Sequence, residues 1–231
     1  MATVVKSFAI QGIDGYAVDI ETKTLEGQPI ITIIGLGDLA VKEAAERVQA
    51  AIDETGYEFP KKRVIISLAP SDKKKSGSHF DLAMAVRILQ QSDAISAKNL
   101  SDYGFIGELS LDGRLMACRG ILPMIISAQR CGVKKMVVPI DNMDEAKLVH
   151  GIEIIGLENL SEVIRLIEGK LLDPGRIHTD ISNVDKENDI VFDFADVKGQ
   201  NDMIEAVMLA AAGEHNMLMI KGLIHMLIQP V

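Results

Sequence analysis

The stretch PIITIIGLGDLAVKEAAERVQAAIDETG, residues 29–56, constrains the chain most. A continuous apolar run, the mark of a strand in the middle of a sheet, turns through GLGD into a helix with both end signals. Asp38 can cap that helix, apolar residues recur at Val41, Ala44, Ala45, Val48 and Ile52, and Gly56 closes it. The neighbouring segments repeat the theme. VVKSFAI and YAVDIETKTL are strand-like, KKRVIISLAP is a buried strand ended by Pro70, and HFDLAMAVRILQQS is a helix with a stripe through Phe80, Met84, Ile88 and Leu89. In GFIGELSLDGRLMA, Asp112-Gly113 suits a hairpin turn. GILPMIISAQRCG is a helix with Pro123 near its start and Gly132 at its end. Strand KMVVP, helix NMDEAKLVH, strand IEIIGL and helix LSEVIRLIEG follow, an alternation that predicts α/β or α+β with mixed strand directions.

KLLDPGRIHTDISNVDKENDI breaks this pattern: it is polar, holds Pro-Gly and has no periodicity, and it reads as a linker. The expected organisation is a domain over 1–172, a linker over 173–190 and a remaining segment over 191–231. In that segment VKGQNDMIEAVMLAAAGEHN reads as a helix and Asn216–Ile220 as a short buried strand.

Composition narrows the function. The 231 residues carry a formal net charge of −9, which opposes general affinity for phosphate backbones. Aromatics make up 4% and Trp is absent, so stacking platforms for single strands are scarce. No apolar run reaches the roughly 18 residues of a membrane span, and MATVVKSFAI lacks the features of a signal peptide, so a cytoplasmic protein without membrane contact is expected. Cys118 and Cys131 read as two buried thiols in a reducing cytoplasm.

Few motifs carry chemistry. Gly-Leu-Gly-Asp-Leu-Ala resembles a dinucleotide fingerprint, but Asp38 would put a carboxylate where a phosphate should sit, so a tight turn with an Asp cap is the better reading. Lys73, Lys74 and Lys75 precede a helix and are the candidate nucleic-acid contact, against the plainer reading of a solvated loop. His79, His150, His178, His215 and His225 have no zinc-site spacing, and no metal site is expected. The paired carboxylates sit on helix surfaces.

ITIIGLGDLAVKEAAERVQAAI, EFPKKRVIISLAPSDKKKSGSHFDLAMAVRIL, FIGELSLDGRLMACRGILPM and DFADVKGQ resemble the Mg-chelatase-like AAA+ ATPases of bacteria, the YifB/ComM group, in order from about Phe8 to Ile220. The resemblance implies an N-terminal domain similar to the Lon protease domain, with the fold of ribosomal protein S5 domain 2. It implies that a AAA+ core follows, and that members act as hexameric, ATP-driven DNA translocases, the ComM type promoting branch migration during transformation. Tetrapyrrole chemistry is not implied.

Two departures bear on mechanism. Lon-type proteases pair a Ser nucleophile with a Lys; the matching positions here hold His79 and, near the lysine position, Leu122, so the fold is expected without the protease chemistry, Ser76 and Ser78 being neighbouring hydroxyls that could stand in. In the family, the strand matching Asn216–Ile220 leads into Gly-x-x-Gly-x-Gly-Lys-Ser/Thr, which cradles phosphates; here KGLIHMLIQPV follows. Val197, Gly199 and Gln200 look like remnants of the adenine pocket. The chain is therefore expected to be a non-catalytic N-terminal domain plus the amputated start of an ATPase core. It would carry no cofactor of its own, ATP and Mg²⁺ belonging to the intact parent. Residues 198–231 are expected to be poorly ordered or to self-associate. The alternatives are a stand-alone nucleic-acid-binding module, using Lys61, Lys62 and Arg63 as well, and a cryptic serine hydrolase.

Overall fold

The computed structural model describes residues 4–95, 100–170, 177–178, 201–213, 215, 217–221 and 224–228. The chain divides into two compact units, Met1–Val184 and Asp185–Val231.

The first unit is built on one mixed sheet. In chain order its strands are β1 (Val5–Gln11), β2 (Asp14–Leu25), β3 (Ile31–Ile34), β4 (Arg63–Ala69), β5 (Tyr103–Phe105), β8 (Lys135–Pro139), β9 (Glu153–Leu157) and β10 (Ile177–His178), while β6 (Glu108–Leu109) and β7 (Leu115–Met116) form a separate hairpin. The sheet runs β10-β9-β8-β5-β1-β2-β4-β3. The pairs β1–β5, β5–β8, β8–β9 and β3–β4 are parallel; β1–β2, β2–β4 and β9–β10 are antiparallel. The expected mixed α/β architecture is present. The hairpin of β6 and β7 turns through Gly113 at φ +79°, as the Asp-Gly pair predicts.

The helices are α1 (Leu39–Glu54), α2 (Asp81–Gln91), α3 (Ile121–Arg130), α4 (Met143–Ala146) and α5 (Leu160–Ile167). Because successive strand side chains point to opposite faces, β1 feeds two cores: Val5 and Ala9 join one with residues of α1, α2 and α5, and Phe8 joins the other with residues of α3 and α4. Helix α2 is the centre of the larger core. Every residue from Asp81 to Leu89 is buried, more than the single stripe read from its sequence.

Two local expectations are corrected. PIITIIGL, read as a central strand, is the edge strand β3. Ile31 and Ile33 pack on the core, whereas Ile30 and Ile34 stay about half exposed, at 53% and 50%. A run of β-branched residues secures strand geometry but not a central position. The helix expected over NMDEAKLVH is a 3₁₀ turn at Ile140–Asn142 followed by the four residues of α4. Asn142 spends its side chain on the backbone of Cys118 rather than on a helix cap.

Ile177 and His178, inside the stretch read as a linker, pair antiparallel with Ile155 and Ile154 of β9. The second unit contains α6 (Asn201–Ala212) and the antiparallel pair β11 (Met217–Lys221) and β12 (Ile224–Ile228). The helix and first strand follow the sequence reading; the second strand lies in a tail expected to be poorly ordered.

Candidate functional site

The site grows from the loop that precedes α2. Gly35 has φ +113°, and a Cβ there would collide with the Leu68 carbonyl, so only glycine makes this turn. The turn aims Asp38 at two targets. Its Oδ1 accepts from the Val41 N–H at 3.0 Å, capping α1, and its Oδ2 accepts from the Gly77 N–H at 3.3 Å. The Lys75 N–H donates to the Leu36 carbonyl and the Asp38 N–H to the Lys75 carbonyl, closing a short bridge between the two loops. The GLGD stretch is thus a capped turn: a carboxylate already occupies the helix N-terminus where a dinucleotide phosphate would sit.

The same bridge changes the reading of the three lysines. Lys75 is fully buried, and its Nζ donates to the Pro70 carbonyl. Burial lowers its ammonium pKa. It is not a surface cation, so the continuous Lys73–Lys75 patch is reduced to two. Lys73 lies 4.5 Å over the Tyr16 ring, and Lys74 is exposed. Of the other cations proposed for nucleic acid, Lys61 pairs with Glu58 and Lys62 with Glu26, and Arg63 donates to Thr32.

Beyond the bridge, Ser78 and His79 face the β5–β6 segment. The Gly107 N–H donates to the His79 carbonyl and the Leu82 N–H to the Gly107 carbonyl, both at 3.0 Å. This pinning brings Glu108 to Ser78, whose Oγ donates to the Glu108 carboxylate. The two border a cleft of about 400 Å³ with Ser76, His79, Cys118 and Arg119. The His79 ring lies 4.1 Å from that of Phe80, tilted by 39°, and its Nε2 is buried with no hydrogen-bond partner among the described residues. Burial drives its pKa down to about 4, against smaller opposing effects from the Phe8 backbone, Asp38 and Glu108, so the imidazole is neutral at pH 7.

Cys118 is held differently. Its N–H donates to Asn142 Oδ1 at 2.7 Å, and Asn142 Nδ2 donates back to its carbonyl at 2.9 Å. Burial pushes its thiol up to about 12, so it stays protonated and unreactive at neutral pH. Cys118 and Cys131 are both free thiols, but the expected burial is corrected: Cys118 is only partly buried and Cys131, just past the end of α3, is exposed.

In this arrangement the Ser78 hydroxyl meets a carboxylate. A carboxylate is a weaker base than a lysine amine or a hydrogen-bonded imidazole. Leu122 is the second residue of α3, packed against the smaller core, and does not border the cleft. Among the described residues no lysine borders it, and Arg119 is its one cation. Among the described residues no group of three His, Cys, Asp or Glu is placed to hold a metal. Val197, Gly199 and Gln200 lie outside the described residues.

The sequence offered no sign of the charge beneath the site. Asp81, fully buried at the start of α2, accepts from Arg47 Nε at 2.8 Å and Nη2 at 3.2 Å, and from the Leu109 N–H at 3.2 Å. The partners are 34 residues apart, on α1 and α2. Burial raises the Asp81 pKa to about 6 despite the opposing pull of Arg47.

The order of strands and helices defines a mixed α/β domain, and the comparisons with known proteins are consistent with a Lon-like one. The family described as subunit ChlI of Mg-chelatase matches residues 20–142, and the one described as magnesium chelatase, subunit ChlI, matches residues 193–222. Competence protein ComM of Haemophilus influenzae is 34% identical over 218 residues, covering 93% of this chain and 42% of that protein. Uncharacterized protein YifB of Escherichia coli is 34% identical over 218 residues, covering 94% of this chain and 42% of its own length. A Lon protease of Mycolicibacterium smegmatis is 25% identical over 173 residues, covering 70% of this chain and 22% of the protease. The chain belongs to the Mg-chelatase-like family of ComM and YifB, a family of AAA+ ATPases, and spans 42% of the length of those two relatives.

Proposed function

We propose that the first unit is a non-catalytic, Lon-like module of a Mg-chelatase-like AAA+ protein in the cytoplasm, and that it engages substrate or organises assembly beside a DNA motor. The observation that carries this reading is the cleft itself. Its serine is tied to Glu108, its histidine is neutral with Nε2 buried, and no lysine borders it among the described residues. The scaffold of a serine–lysine site is retained without its base.

The motor half of the reading rests on the family. Competence protein ComM bears a name that ties it to DNA uptake, and the proposal carries ATP-driven DNA translocation and branch migration from that group to the whole protein. Residues 216–231 contain no Gly-Lys-Ser/Thr phosphate loop, so this chain hydrolyses no ATP by the family mechanism. ATP, Mg²⁺ and self-association into a ring belong to the intact parent.

The deciding experiment is labelling with a fluorophosphonate, alongside peptidase and ATPase assays on the purified chain. The expected result is no labelling and no turnover. Labelling that disappears in Ser78→Ala would establish a serine hydrolase and overturn the reading. A mobility-shift assay with DNA examines the binding-module alternative: a salt-sensitive shift lost in the Lys73→Ala, Lys74→Ala double variant would favour it.

A further inference from the structure

A second cleft lies away from Ser78, where β2 runs on past the start of β1. It has a volume of about 460 Å³ and is bordered by Glu21, Thr22, Lys23, Ser67, Arg87 and Gln91. Arg87 projects from the middle of α2 and is only 5% exposed, yet no carboxylate lies within ion-pair distance of it among the described residues. Its Nη2 donates to Gln91 Oε1 at 2.8 Å, one turn along the helix. Among the described residues its buried Nε finds no acceptor, and the buried Thr22 hydroxyl on the facing strand finds no partner. Buried charges are normally paired, because an unpaired one forfeits hydration without recompense. The Arg47–Asp81 pair in the same core shows that arrangement satisfied.

We propose that this cleft is an oxyanion site, built to take a phosphate group on Arg87. The guanidinium cannot lose its proton and offers a planar set of donors suited to phosphate. Thr22 and Ser67 border the cleft with hydroxyls, which can donate to a tetrahedral anion, and Lys23 adds a second cation at the mouth. Glu21, exposed on the same strand, is the one acid at the rim among the described residues. Its field supports the Arg87 charge, which burial weakens, and it competes with any incoming anion. The group recognised is a phosphate, either free or at the end of a small phosphomonoester. The inference stands on these contacts alone and is independent of the function proposed for the Ser78 cleft.

Melting and calorimetry with inorganic phosphate, against chloride at matched ionic strength, test it on the full chain. The expected result is a saturable rise in Tm with phosphate, absent in Arg87→Gln and reduced in Lys23→Gln, an exposed position that leaves folding intact. Glu21→Gln should tighten phosphate binding about two- to threefold by removing a competing exposed charge. Repeating the titration with glycerol phosphate separates the sources: tighter binding of the ester than of inorganic phosphate identifies a phosphomonoester site, and equal or weaker binding a free-phosphate site. Phosphate also stabilises proteins generally by exclusion from their surface. A rise that is linear, or that is the same in Lys23→Gln and Arg87→Gln as in the unaltered chain, would overturn the proposal. A Glu21→Gln variant that loses stability in chloride and shows no phosphate response would do so too, because Glu21 would then be Arg87's own partner.

Discussion

Single residues set the electrostatics of the larger core. Asp81 is buried with its proton affinity raised, and Arg47 is the cation that permits its charge. Replacing Arg47 with Met should cost about 2–4 kcal/mol, read as a lower urea midpoint, because the carboxylate stays buried without its partner. The pH dependence follows from the same burial. With a folded pKa near 6, above the ordinary 3.8, Asp81 contributes stability that is fully present below 3.8 and lost as pH rises through 6. The stability of the unaltered chain relative to Asp81→Asn should therefore grow as pH falls from 7 to 4. His79 acts in the opposite sense. Its pKa falls from 6.5 to about 4, so its contribution is present above 6.5 and lost as pH falls through 4. In an NMR titration its ring shifts should stay flat from pH 8 to 5; a midpoint near 6.5 would show that the ring is not buried as described.

At the scale of elements, the connection from β3 to α1 is the most exacting piece of the fold. Gly35→Ala forces a side chain into positive φ and against the Leu68 carbonyl. It should lower stability by more than about 1–3 kcal/mol, the usual range for strained backbone. Asp38 caps α1 and also holds Gly77, so Asp38→Ala should cost about 1–2 kcal/mol, while Asp38→Asn, which can still accept, should cost less. Circular dichroism melts of the two variants separate the cap from the charge. These features were legible in the sequence because they are local: cap, turn and hairpin each lie within a few residues. The edge position of β3 was not, because it depends on β4, which returns from the far side of α1 to pair with it.

At the scale of the whole molecule, the first unit closes its own cores, which among the described residues draw on Val5 to Ile167. A chain ending at residue 184 should accordingly melt cooperatively at the same temperature as the full chain. A clear fall in Tm would show that residues 185–231 contribute to that core. No helix among the described residues is long and apolar enough to cross a membrane. By itself the sequence determined the strand–helix alternation, the capped turn at Asp38, the hairpin at Gly113 and membership of the family, because periodicity, end signals and motifs are written in neighbouring residues. Only the tertiary structure decided that Lys75 is interior, that Ser78 meets Glu108 across 30 residues, that Arg47 meets Asp81 across 34, and that Arg87 is buried with no carboxylate in ion-pair distance among the described residues. Each of those depends on which strands become neighbours, and strand pairing is a property of the closed sheet rather than of any segment in it.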